Sequence, residues 1–163
     1  MNGKLKMKKI VNVLVLLVTT LLLVLPSYAE EEIDCWILCQ PDSWVNARRS
    51  PNKRSEEIGR LECGDHIYTD GKTKNGFLHV FVSFEYGEGW IHKGYVVYDE
   101  PYLPLFQDTQ IISNGRVKAR KTIKGQRRCW LKDGQKIKVY MVSEEWSVTN
   151  KGFVQTKFID LGR

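Results

Sequence analysis

The chain has 163 residues, with 25 Lys or Arg, 19 Asp or Glu and a formal net charge of +6. This length allows one ordinary domain or two small ones, and no segment is low enough in complexity to predict a long disordered tail. The charge is unevenly distributed. Residues 1–29 contain four lysines and no acid, residues 30–100 contain 8 basic and 14 acidic side chains, and residues 101–163 contain 13 and 5.

Residues 1–29 have the pattern of a secretory signal peptide, with a basic start, an apolar stretch and small residues before a cleavage site after Ala29. The apolar stretch from Ile10 to Leu25 has 16 residues, whereas a membrane-spanning helix needs roughly 20. An uncleaved anchor is the alternative interpretation. The sequence therefore predicts a secreted or cell-envelope-associated protein that meets the membrane only transiently, during export.

Residues 33–98 show the signals of a small all-β unit. Short apolar or alternating stretches are separated by turn-forming pairs such as Asp70-Gly71 and Asn75-Gly76. No window of a dozen residues keeps apolar side chains at helical spacing. Strands are predicted at residues 36–38, 66–69, 77–84 and 89–92. Residues 99–108 are expected to form a short stiff linker, because Pro101 and Pro104 restrict the backbone.

Residues 109–163 form a second unit of the same kind, with strands predicted at residues 116–118, 136–142, 146–149 and 152–155. Its motifs repeat those of the first unit in the same order. Residues 45–50 match 117–122, residues 61–67 match 131–137, and Gly89-Trp90-Ile91 matches Gly152-Phe153-Val154. Three matches in one order indicate an internal repeat of about 70 residues. The sequence therefore predicts two small modules in tandem.

The order of these motifs resembles that of the bacterial SH3-like (SH3b) domain family. The resemblance rests on Val45-Asn46-Ala47-Arg48, Ser50-Pro51, Ile58-Gly59, Leu61, Gly64, Gly89-Trp90-Ile91 and Tyr95-Val96. In the second copy, Thr122-Ile123 replaces the Ser-Pro pair and Arg128-Cys129 replaces Ile-Gly. The resemblance implies an all-β fold of two small SH3-like, partly open barrels. Such modules commonly bind cell-wall or other ligands in exported bacterial proteins, often beside a hydrolase domain.

Four cysteines in an exported chain predict two disulfide bonds, with three alternative connectivities. The candidates are Cys35, Cys39, Cys63 and Cys129. We expect Cys35 or Cys39 to pair with Cys63, because the opening strand should run near the turn at Gly64. The remaining cysteine would then bridge the modules through Cys129. Free buried thiols are the alternative.

No cofactor, metal or catalytic site is predicted. A zinc site needs paired cysteine ligands; Cys35 and Cys39 form one such pair, but Cys63 and Cys129 are far apart in the sequence. A cysteine nucleophile needs a helix start and a nearby histidine base, whereas Cys35 lies in a region without helical periodicity. We therefore expect that the chain is not an enzyme.

One candidate binding surface is an aromatic face of the first module. In the stretch 77–82, alternation places Leu78, Val80 and Val82 on one face and Phe77, His79 and Phe81 on the other. Four side chains of neighbouring strands then share the second face: Phe77, His79, Trp90 and His92. Such a row could stack on a sugar or peptide and donate hydrogen bonds to it. The alternative is that Trp90 packs the end of the barrel and both histidines are solvated.

The other candidate surface is a basic segment with seven cations and no acid. Its members are Arg116, Lys118, Arg120, Lys121, Lys124, Arg127 and Arg128. Clustered cations bind phosphate or carboxylate polymers, and export argues against nucleic acid as the partner. The alternatives are a docking surface for the acidic first module and a solvated run of charges.

The sequence thus predicts an exported, non-catalytic binding protein that attaches to bacterial cell-wall material. The expected ligand is peptidoglycan, through its glycan or peptide, or an anionic polymer of the wall. The alternative is a protein–protein interaction module of an envelope complex. A cell-wall hydrolase comes third, because no nucleophile or acid–base constellation is present.

Overall fold

The computed structural model describes residues 32–82, 87–105 and 107–162, so the predicted signal peptide lies outside the described residues. Residues Glu32–Arg163 form one compact unit. Within the described part of this unit, no helix is long and apolar enough to cross a membrane.

The first module folds into one antiparallel sheet. Its described strands are β1 (Ile33–Ile37), β2 (Trp44–Arg48), β3 (Glu57–Glu62), β4 (His66–Thr69), β5 (Thr73–Lys74), β6 (Phe77–Phe81), β7 (Glu88–His92) and β8 (Val96–Val97). The strand order is β3-β2-β7-β6-β4-β1-β8, and β5 pairs with β6. β3 and β8 stand at the two ends of this order, so the described strands do not close a barrel.

The second module folds into a separate antiparallel sheet. Its described strands are β9 (Asp108–Gln110), β10 (Val117–Arg120), β11 (Arg127–Leu131), β12 (Lys136–Val142), β13 (Trp146–Thr149) and β14 (Gly152–Gln155). The order is β11-β10-β14-β13-β12-β9. The prediction of an all-β fold is confirmed.

The internal repeat is present in the topology of the two sheets. Five strands of the first sheet, in the order β3-β2-β7-β6-β4, correspond to β11-β10-β14-β13-β12 of the second. A 3₁₀ turn follows the last of these strands in the sequence in each module, at Lys93–Tyr95 and at Thr156–Phe158. The matching sequence motifs therefore occupy matching places.

The repeated glycine before an aromatic residue has a steric cause. A Cβ atom on Gly89 would lie 3.3 Å from the carbonyl oxygen of Arg48 and 2.9 Å from a methyl carbon of Ile58. A Cβ atom on Gly152 would overlap the carbonyl oxygen of Arg120. Both glycines are needed because β7 passes close to the backbone of β2, and β14 passes close to the backbone of β10.

Each module has its own apolar core. The alternation predicted for residues 77–82 is confirmed, since Leu78, Val80 and Val82 are buried in the first core. The second core is built in the same way around Val117, Ala119 and other apolar side chains of its sheet. These two cores stabilise the two sheets, because burial of apolar side chains is the main favourable term in folding.

A third apolar cluster joins the two modules. It contains Leu38 and Val97 of the first module and four buried side chains of the second, namely Ile123, Trp146, Val148 and Phe153. The backbone N–H of Ile123 also donates a 2.8 Å hydrogen bond to the carbonyl of Gly94. The modules are therefore docked through apolar side chains rather than through their opposite net charges.

Candidate functional site

The four side chains of the predicted aromatic face share one side of β6 and β7. Phe77 lies opposite His92, and His79 lies opposite Trp90. The ring centroids are 5.7 Å apart in the first pair and 4.9 Å apart in the second. Phe77 is buried, and the other three are half-buried. The geometry thus brings together the residues that the alternation selected.

His79 is held in place by two carboxylates. Its Nδ1 atom lies 2.9 Å from Asp70 Oδ2, and its Nε2 atom lies 3.7 Å from Glu88 Oε2. Burial of the Asp70 carboxyl would raise its pKa, but hydrogen bonds from Lys72 and His79 outweigh this effect and leave the pKa below its ordinary value. The alternative of a solvated His79 does not fit this geometry, because the ring is held against Asp70, whose carboxylate is buried.

The corresponding face of the second module is occupied by the docking interface. By strand register, Trp146, Val148 and Phe153 take the places that Phe77, His79 and Trp90 have in the first module. All three are buried in the cluster that joins the modules. One copy of this face therefore holds the modules together, whereas Phe77, His79, Trp90 and His92 are not members of that apolar cluster.

The basic segment forms a surface that we call the basic hairpin, namely β10, β11 and their connecting loop with Arg116 at its start. Six of its cations are exposed, and only Arg120 is half-buried. Within the described residues, none of the seven forms an ion pair with a carboxylate. The alternative of a docking surface for the acidic first module applies to the hairpin loop, where Ile123 packs in the joining cluster.

Arg120 has a structural role that the sequence analysis did not assign. Its guanidinium donates a 2.7 Å hydrogen bond to the carbonyl of Gly125 in the hairpin loop. Arg48 makes the matching 2.8 Å bond to Ser55 in the first module. The arginine of the repeated motif therefore fixes the loop that follows it, which removes Arg120 from the set of free cations.

Lys124 is also set apart from the other cations. It has a positive φ of 56° and lines a cleft at the module junction together with Asp99, Glu144 and Glu145. Lys124 therefore shares a cleft with three carboxylates. The free cations of the basic hairpin are therefore Arg116, Lys118, Lys121, Arg127 and Arg128.

Trp130 completes the basic hairpin, and the sequence analysis missed it. It lies opposite Lys118 across the two strands and is 40% exposed. The Lys118 ammonium lies 5.5 Å from the ring centroid, and the Arg127 guanidinium lies 4.9 Å from it. An aromatic ring between two cations offers both stacking area and positive charge to a ligand. The signal that could have identified Trp130 is the repeat itself. The matching strands of the first module also bring a cation and an aromatic ring together, with the Arg60 guanidinium 4.4 Å from the centroid of the Trp44 ring.

The predicted disulfide bonds are absent, because all four cysteines are free thiols. Cys35 is buried in the first core and Cys129 packs against the second, so no bridge joins the modules. Cys39 and Cys63 do lie side by side, as the predicted pairing requires. The Cys39 backbone N–H donates to Cys63 Sγ at 3.0 Å, and that thiol lies 2.8 Å from the Cys39 carbonyl oxygen.

The Cys35 thiol is in a poor environment for nucleophilic chemistry. Burial, together with the negative charge of Asp34, raises its pKa to about 12. A thiol held protonated in the core is an inert side chain.

Among the described residues, no cluster of three or more His, Cys, Asp or Glu side chains is arranged to hold a metal ion.

No protein-family model matches the sequence, and no curated protein matches it. Among solved structures, NlpC1 from Trichomonas vaginalis is 15% identical, with a TM-score of 0.38, over 82% of this chain and 47% of that chain. NlpC2 from Trichomonas vaginalis is 12% identical, with a TM-score of 0.36, over 80% of this chain and 48% of that chain. The chain spans about half the length of each of these two structures.

Proposed function

We propose that this chain is an exported, non-catalytic binding protein of the bacterial cell wall, and that its basic hairpin holds an anionic wall polymer. The observation that carries the proposal is the group of exposed cations around Trp130, with no carboxylate partner in the described part of the chain. Export rests on the signal-peptide pattern of residues 1–29. Because an exported protein meets the polymers of the cell wall, the polyanion that we propose is a wall polymer rather than a nucleic acid.

The energetics of folding give no reason for these cations. Exposed charges contribute little to stability, usually within about 1 kcal/mol per pair, and those of β10 and β11 have no described ion-pair partner. Like charges close together are unfavourable until an anion approaches. A polymer with regularly spaced phosphates or carboxylates would relieve that repulsion and could stack on Trp130. The hairpin is therefore better explained by a ligand than by the fold.

The proposal is tested by sedimenting the mature protein, residues 30–163, with purified bacterial cell walls. Binding should weaken steeply between 0.1 M and 1 M salt, because the screening length falls from about 10 Å to about 3 Å. Removal of the anionic polymers from the walls should remove the salt-sensitive part of the binding. Binding that persists on stripped walls in 1 M salt would contradict the role of the hairpin.

A second candidate function is protein–protein interaction, and exposed apolar side chains near the linker favour it. Leu103 is 70% exposed and Leu105 is 95% exposed, and Tyr98 and Tyr102 are also exposed. Interaction sites commonly expose large apolar side chains. Leu103→Ser combined with Leu105→Ser should abolish the binding of a protein partner at this surface. The affinity for such a partner should not depend on salt, which distinguishes this function from polymer binding.

A further inference from the structure

A cleft at the junction of the two modules has the properties of a small ligand site. Its volume is about 320 Å³, within the range of roughly 300–1,000 Å³ for such sites. The first module contributes most of its walls, and the second closes it with Thr122. The residues that the argument uses are Trp44, Asn46, Lys53, His92, Tyr95 and Thr122.

The position of Thr122 is fixed by close packing against the first module. A Cβ atom on Gly94 would lie 2.9 Å from both Cβ and Oγ1 of Thr122. The next residue, Ile123, is hydrogen-bonded to the Gly94 carbonyl. The cleft is therefore complete only when the modules are docked, and its shape is preformed by that interface.

The cleft is positively charged. Among the described residues no Asp or Glu lines it, and the cations that do are Arg48 and Lys53. Arg48 is engaged with Glu57 at 3.0 Å and with the Ser55 carbonyl. Lys53 is exposed and has no ion-pair partner among the described residues. Burial lowers the pKa of His92, and the positive charges of Lys53 and Lys93 lower it further.

The cleft also offers hydrogen-bond donors. His92 Nδ1 accepts the backbone N–H of Gly94 at 3.2 Å, so the proton of the neutral ring resides on Nε2. The Tyr95 and Thr122 hydroxyls can donate as well. An ammonium and several neutral donors around one cavity favour a carboxylate, since hydrogen bonds to ionised groups are the stronger kind.

One buried acceptor in the wall of the cleft lacks a donor. Asn46 Nδ2 donates to Glu57 Oε1 at 2.6 Å, which fixes the orientation of the amide because only its nitrogen can donate to a carboxylate. Asn46 Oδ1 is buried and has no hydrogen-bond partner in the described part of the chain. A buried acceptor without a donor is unfavourable, but this atom has almost no accessible surface, so the Asn46 amide forms part of the wall without contacting a ligand.

We infer that this cleft binds the free carboxylate end of a short peptide. Lys53 and the His92 donor would hold the carboxylate, and the Trp44 and Tyr95 rings would cover the side chain of the last residue. The site differs from the basic hairpin in residues and in ligand chemistry, so the inference does not depend on the proposed function.

The test is an NMR titration of residues 30–163 with N-acetyl-alanyl-alanine and, separately, with the same peptide amidated at its C-terminus. The free acid should shift the amide signals of Lys53, His92 and Thr122 in a saturable way. The amidated peptide should bind about tenfold more weakly or worse, because it lacks the charge-assisted contact. Equal affinity of the two peptides would overturn the inference.

Variants separate this site from the rest of the protein. Lys53→Ser should weaken the free acid about tenfold and leave the amidated peptide unaffected, whereas the control Lys138→Ser, an exposed lysine on β12, should change neither. A protein with serine at Arg116, Lys118, Arg127 and Arg128 should still bind the peptide. Loss of peptide binding in that variant, or shifts confined to residues 116–130, would assign the carboxylate to the hairpin and contradict the cleft.

Discussion

Gly152→Ala is expected to be among the most destabilising single substitutions in the second module. Gly152 has a φ of +117°, a conformation that L side chains rarely adopt, and its Cβ atom would overlap the Arg120 carbonyl oxygen. Backbone strain and forced overlap each cost about 1–3 kcal/mol. We expect urea unfolding to show a loss of more than about 3 kcal/mol, since neither β10 nor β14 can move without breaking their pairing.

Gly134→Ala is the matched control for this prediction. Gly134 also has a positive φ, of 66°, but a Cβ atom there would meet nothing within 4 Å. Its substitution should cost only about 1–2 kcal/mol, the ordinary penalty of a left-handed residue. If both variants lose the same small amount, the close approach of β14 to β10 is incorrect.

Phe153→Ala should remove the largest side chain that is fully buried between the modules. Phe153 is 1% exposed and packs with Leu38 and Val97 of the first module. Its ring centroid also lies 6.0 Å from that of Tyr95. Truncation of a buried Phe to Ala typically costs 3–5 kcal/mol, as lost burial plus a cavity. We expect a loss of about that size in urea unfolding, together with shifted amide signals of Leu38 and Val97.

Leu131→Ala provides the comparison. Leu131 is fully buried in the second core and takes no part in the joining cluster. Leu131→Ala should lower the free energy of unfolding by a similar amount, about 2–5 kcal/mol. It should leave the amide signals of Leu38 and Val97 unchanged. A Phe153→Ala protein that loses less than about 1 kcal/mol and keeps those signals would show that the modules do not dock in this way.

The repeat and the alternation of β6 could be predicted from the sequence because both are local in origin. A glycine before an aromatic residue marks each strand that crosses close to its neighbour, and two-residue periodicity separates Leu78 from His79. β11 escaped prediction because Arg127 and Arg128 mask its apolar residues. Strand pairing with β10, which is a tertiary effect, decides its conformation.

The docking of the modules could not be predicted from charge. The sequence shows an acidic module and a basic one, yet the interface consists of apolar side chains from both. The usable signal was Val148 at the position where the first module has His79, since the two neighbouring positions are aromatic in both modules. Reading that difference requires the register of both sheets, which the sequence alone does not give.

The candidate sites were predicted in part. The structure brings the residues of the aromatic row together on β6 and β7 and those of the basic segment on one hairpin, and their binding of a ligand stays a prediction. Arg120 and Lys124 belong to the loop and to the module junction, whereas Trp130 belongs to the basic hairpin. These assignments depend on which side chains meet across strands, and charge counts along the chain do not contain that information.

The central claim, that the basic hairpin binds an anionic wall polymer, is tested most directly with two variants of equal charge. One carries serine at Arg116, Lys118, Arg127 and Arg128, and the other carries serine at Lys74, Lys136, Lys138 and Lys157, which are exposed elsewhere. Each is sedimented with purified walls at low salt. We predict that the first variant stays in the supernatant with a nearly unchanged melting temperature, while the second binds like the wild type. Equal binding by both variants, or equal loss in both, would contradict the claim.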